Sequence, residues 1–192
     1  LGFAALLIVP LAFGLREPAH PPGTHGAPQS VKSALREALG HKGFRLLVAG
    51  YFVCGFQVVF IGVHMPSYLK DNGLSPTVAS TALALIGLFN IFGTYITGSL
   101  GQRVSKPRML SVIYLLRSAV IVSFLLAPLT PWSVYLFASA MGLLWLSTVP
   151  PTNAVVAQIF GVRYMSMLGG VVFLNHQFGS FLGAWLGGRL YG

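Results

Sequence analysis

The chain has 192 residues, of which 55 % are apolar and only 8 % charged. Soluble domains carry about 25 % charged residues, so a water-covered globule is excluded, and so is a disordered chain, which goes with low hydrophobicity. One cysteine, Cys54, excludes a disulfide framework, and the net charge of +9 lies scattered between long apolar runs, not on one domain as nucleic-acid binding requires.

What remains is an all-α, polytopic transmembrane helix bundle, because a helix needs about 20 apolar residues to cross the hydrocarbon core. Leu1 to Leu15 form an apolar run without the basic start and small-residue cleavage site of a signal peptide. Too short to span, residues 1–15 are expected to be the end of a truncated transmembrane helix. Residues 16–43 are expected to form an aqueous cytoplasmic loop. Within it, Pro18 to Gln29 is rich in Pro, Gly and His and reads as a linker. Val31, Ala34, Leu35, Ala38 and Leu39 then recur at helical spacing, with Lys32, Arg36, Glu37 and Lys42 between them. That pattern predicts a short amphipathic helix at the membrane surface.

Residues 44–192 are expected to hold five transmembrane helices. The first runs from Phe44 to Leu69, with Pro66 near its end. After the turn Lys70–Pro76, which contains Asn-Gly, the second runs from Thr77 to Leu100. The third covers Met109 to Ala127. The fourth starts near Trp132, an interfacial anchor, and continues to Phe160 as one helix kinked at Pro150-Pro151. The fifth runs from Met165 to Leu190. With the loop 16–45 cytoplasmic, nine of the twelve Lys and Arg fall on that side. Only Lys70 and Arg189 fall on the other, and Arg117 lies within the third span. The asymmetry fits the positive-inside rule for five alternating spans.

The pattern resembles the middle and second half of a major facilitator superfamily transporter. Gly98–Arg108, GSLGQRVSKPR, is similar to that superfamily's loop motif: Gly98, Arg103 and Lys106 match, and Gln102 and Ser105 depart. YLLRSAVIV, GLLWLSTVPPTNAVVAQIFG and FLNHQFGSFLGAWLGG resemble bacterial members near the monocarboxylate and oxalate/formate branch. The resemblance implies a partial C-terminal half of a twelve-helix fold, with N-terminal helices of the same protein as its missing partner. It also implies a secondary transporter of a small organic solute, with organic anions as a candidate class, working by alternating access. The implied location is the bacterial inner (plasma) membrane, with the lipid bilayer and protons as further partners.

Polar groups at membrane depth are functional candidates, each with a packing alternative. Gln57 lies roughly 16 Å inside Leu46 at the helical rise, on a stripe with Gly50, Cys54, Ile61, His64 and Tyr68. Asn90 lies near the middle of the second span and shares a face with Gly87, Thr94 and Thr97. His176, in the run Asn175-His176-Gln177, lies roughly 15–18 Å past Met165 and shares a face with Ser180 and Gly183. Gln57, Asn90 and His176 are the expected substrate contacts; if transport is proton-coupled, the expected carrier is His176, His64 or a residue in the missing half, since Glu17, Glu37 and Asp71 all lie outside the spans. Gly179, Gly183 and Gly187 read as a close-packing run. Arg117 is expected to reach along its helix toward the cytoplasmic face, on a span that the resemblance makes peripheral. No nucleotide loop, HExxH or metal-spaced Cys/His cluster is present, so no catalytic residue, cofactor or metal site is expected. A non-transporting receptor or scaffold, and an integral-membrane enzyme, are the alternatives.

Overall fold

A computed structural model describes residues 30–191, apart from the side chain of residue 191. The expected helix end at 1–15 and the linker before residue 30 lie outside the described residues. The described residues contain seven helices and no strand: α1 Val31–Gly40, α2 Lys42–Asp71, α3 Pro76–Leu100, α4 Lys106–Leu126, α5 Pro131–Leu144, α6 Val149–Phe160 and α7 Val162–Tyr191.

Local chemistry sets the ends. Asn72 closes α2 by donating its side-chain Nδ2–H to the Tyr68 carbonyl at 2.8 Å. Gly73 follows at φ +80°, a backbone conformation that L side chains rarely adopt. Pro76, Pro107 and Pro131 stand in the first turns of α3, α4 and α5, where a missing N–H removes no helical bond. Thr130 and Ser133 cap α5 reciprocally, side chain to main chain, at 3.2 and 3.0 Å. Gly161, at φ +79°, separates α6 from α7.

By length and composition, α2, α3, α4 and the segment Pro131–Phe160 are each able to cross a membrane. α7 matches α2 in length at 30 residues, but the polar run at its middle dilutes its hydropathy. The outward faces are apolar: Leu126 is 82 % exposed and Leu136 71 %. In water such a surface would aggregate; in lipid it is solvated.

Two pairings organise the bundle, α2 with α7 and α3 with α5. Both rest on glycine. On α7, Gly179, Gly183 and Gly187 sit against Phe52, Phe56 and His64 of α2, and Gly55 of α2 sits against the His176 carbonyl. Any side chain at these positions would collide with the partner helix, so the run is a packing surface. Gly93 of α3 lies against Leu143, and Gly142 of α5 against Ile86, in the same way. One apolar cluster fills the space among α2, α3 and α5, around Met65, Leu69, Ala82 and Phe137. A second gathers Ala38, Phe44, Tyr51, Val156, Leu168 and Val172. Ala34 and Ala38 of α1 are buried, whereas Val31 and Leu39 stay exposed; α1 therefore buries the alanine side of its apolar stripe.

Candidate functional site

The fourth expected span is interrupted. α5 stops at Leu144 and α6 starts at Val149, so the break lies just before Pro150-Pro151, which occupy the first turn of α6. The expected kink at the prolines is corrected by this position. A proline ring collides with the carbonyl four residues earlier and supplies no N–H, so the disrupted groups belong to residues upstream of it.

Neighbouring helices supply the lost partners. Asn90 of α3 accepts from the Leu146 N–H through Oδ1 at 3.1 Å. Arg117 of α4 donates from Nε and Nη2 to the Leu144 carbonyl at 3.1 and 2.6 Å, and from Nη2 to the Trp145 carbonyl. The guanidinium fork thus closes the C-terminal end of α5, where carbonyl dipoles favour a cation. Arg117 is fully buried. It does not extend to the cytoplasmic face as expected, because the open carbonyls of the break lie within its reach and are better partners than lipid.

The remaining face of the guanidinium meets a sulfur. Nη1 of Arg117 donates to Cys54 Sγ at 3.1 Å. Thr148 Oγ1, at the start of α6, lies 3.6 Å from the same sulfur. The His176 ring of α7 packs nearby on α2, against Tyr51 and Gly55. Its Nδ1 lies 3.4 Å from Ser180 Oγ and from Gln177 Oε1, and its ring centre is 5.1 Å from that of Tyr51. The guanidinium carbon stands 5.9 Å from the Tyr114 ring centre. Cys54, Arg117 and Thr148 therefore join α2, α4 and α6 in one buried polar cluster beside the break, with the His176 ring of α7 half-buried one residue along α2.

The three expected substrate residues are placed differently. His176 lies beside the cluster, against Tyr51 and Gly55 of α2. Asn90 reaches the same break from α3. Gln57 stands apart, lining a cavity of about 330 Å³ with Phe56, Phe60, Tyr68, Phe124 and Phe137 among others. Its Oε1 is buried and lacks a hydrogen-bond partner, as does Thr152 Oγ1 one turn into α6. His64, whose sequence position suggested the water interface, is buried and lies 3.1 Å through Nε2 from the Ala184 carbonyl of α7. Among the described residues, no three His, Cys, Asp or Glu side chains form a metal-binding group.

Arg117 and Cys54 are the residues that sequence reasoning underrated. The signal was present for both. Arg117 is the one strong charge away from the ends of the expected spans, and Cys54 lies one helical turn from Gln57 on the polar stripe of α2. Their convergence on the break depends on tertiary packing.

The sequence profile of the Major Facilitator Superfamily matches residues 1–184. The chain belongs to the Major Facilitator Superfamily. It is 27 % identical over 203 residues to YcxA of Bacillus subtilis (strain 168), an uncharacterized MFS-type transporter, covering 98 % of this chain and 47 % of that protein. The chain spans about half the length of this curated relative. Together with the apolar helices, membership makes the protein an integral, multi-pass membrane protein.

Proposed function

We propose that the chain forms most of the C-terminal half of a secondary active transporter, which moves a small organic solute by alternating access. The observation that carries this reading is the broken helix α5–α6, whose interrupted backbone is met by polar side chains from α3 and α4. Irregular backbone at membrane depth is tolerated where it is buried in protein or lines a cavity, and discontinuous helices of this kind build midplane substrate sites. In this reading α7 crosses the membrane as the fifth span, its polar run shielded against α2. The N-terminal helices of the full-length protein form the other wall of the pathway.

His176 and Gln57 are the proposed substrate contacts, and Asn90 contributes from the break it holds. The one strong charge away from the ends of the described spans is the cation Arg117, with no carboxylate beside it among the described residues, which favours an organic anion as solute. That preference agrees with the resemblance to the monocarboxylate and oxalate/formate branch. The bacterial inner membrane is the proposed location, and protons are the proposed coupling ion.

Exchange by the full-length protein in proteoliposomes tests the reading. Labelled short-chain carboxylates should enter saturably, and faster when unlabelled solute is present inside. Entry no faster than into protein-free liposomes, across a panel of carboxylates and neutral organic solutes, would contradict it.

A further inference from the structure

α3 and α4 follow one another in the chain, yet each packs on α5 and the two scarcely touch. The crevice between them holds a cavity of about 390 Å³ with wholly apolar walls. Ile96 and Leu100 of α3 face Val112 and Leu116 of α4 across it, and Leu143 of α5 forms the floor. The four wall residues are exposed, so no described helix covers the crevice. From Arg108 to Leu116 it runs roughly 12 Å at the helical rise, against about 15 Å for one leaflet of a ~30 Å hydrocarbon core.

The polar groups along this crevice are committed, except at one end. The Thr97 hydroxyl donates to the Gly93 carbonyl at 2.9 Å, and the Ser147 hydroxyl donates to the Leu143 carbonyl. Arg108, in the first turn of α4, lines the mouth with its hydrocarbon stem and is otherwise exposed. Its side chain has no hydrogen-bond or ion-pair partner among the described residues. Arg103 and Lys106 stand just before it, and the segment Gly98–Arg108 contains no Asp or Glu.

An apolar crevice with cations at its mouth is complementary to a hydrocarbon chain with an anionic head. A guanidinium takes phosphate through paired N–H donors, and basic pockets between transmembrane helices hold anionic lipid heads. A zwitterionic head would bring a second cation to a segment that has no carboxylate to receive it.

We propose that the α3–α4 crevice binds one anionic phospholipid, with an acyl chain between Ile96, Leu100, Val112 and Leu116 and the phosphate on Arg108. Arg103 and Lys106 add to the attraction. The chain end rests on Leu143, next to Leu144, whose carbonyl Arg117 holds. The lipid therefore packs against the end of α5 beside the break.

Native mass spectrometry of the full-length protein, incubated in detergent with phosphatidylglycerol or phosphatidylcholine of identical chains, tests this without any transport. Wild type should retain one phosphatidylglycerol under conditions that strip phosphatidylcholine. Arg108→Gln should weaken that retention roughly tenfold, the loss of one charged hydrogen-bond contact. Lys42→Gln, a basic residue at the start of α2, should leave it unchanged. Val112→Trp, which fills the crevice, should expel the lipid with every cation in place. Should Arg108→Gln fail to fold, Val112→Trp and the headgroup preference of wild type carry the same test. Equal retention of the two lipids, or equal losses in Arg108→Gln and Lys42→Gln, would overturn the proposal. So would retention of neither lipid, the result expected if a helix from elsewhere in the protein or a second copy fills the crevice.

Discussion

The Asn90 side-chain oxygen accepts a hydrogen bond from the main-chain N–H of Leu146 at 3.1 Å, so α3 supplies a partner for the backbone where α5 gives way to α6. Arg117 does the same for the carbonyls of Leu144 and Trp145. The break is thus an element held open from two sides, not a frayed segment.

Removing the Asn90 oxygen should therefore weaken the fold. Asn90→Leu leaves the Leu146 N–H without a partner in a medium that offers no water, a loss of about 1–3 kcal/mol. Thermal unfolding in detergent should show a lowered midpoint. Asn90→Asp, which keeps the acceptor at the same position, should lose less.

At Arg117 geometry matters as well as charge. Lysine carries the charge but not the planar fork that spans two carbonyls and a sulfur. Arg117→Lys should lower thermal stability nearly as far as Arg117→Gln, with charged hydrogen bonds contributing about 1.5–3 kcal/mol each. Stability equal to wild type in the Lys variant would show that the fork is dispensable.

The α2–α7 contact predicts a sharp positional contrast along one helix. A Cβ at Gly183 would meet the Phe56 carbonyl oxygen at 2.6 Å, whereas one at Gly188 meets nothing within 4 Å. Gly183→Leu should abolish recovery of monodisperse protein. Gly188→Ala should be recovered at wild-type yield, since alanine favours a helix over glycine by up to about 1 kcal/mol.

His176→Gln retains hydrogen bonding but removes titration near neutral pH. In proteoliposomes made from the full-length protein, the variant should insert normally and exchange solute, yet lose proton-driven accumulation. Lower affinity with coupling retained would make His176 a substrate contact only. Unchanged affinity, accumulation and pH dependence would remove both roles.

Helix positions were legible because hydropathy and turn chemistry act locally. The expected spans differ from α2, α3 and α4 by three residues or fewer at each end, and the glycine run on α7 was readable as packing from its spacing alone. The break was legible in kind but not in place, since Pro150 and Pro151 disturb backbone groups that precede them. Arg117 was misread because a long side chain can run along its own helix or turn inward, and only the position of the α5 carbonyls decides between them. Cys54 carried no sequence signal beyond its face on α2; what sets it apart is the arrival of Arg117 and Thr148 from two other helices.

Alternating access is tested most directly at Gln57, which lines the cavity on α2. Gln57→Cys in the full-length protein is exposed to a membrane-impermeant maleimide from each side of sealed vesicles in turn. Wild type, whose Cys54 is buried, serves as the blank. The account predicts labelling above the blank from both sides, with solute shifting the ratio between them. Labelling from one side only, or from neither, would contradict it.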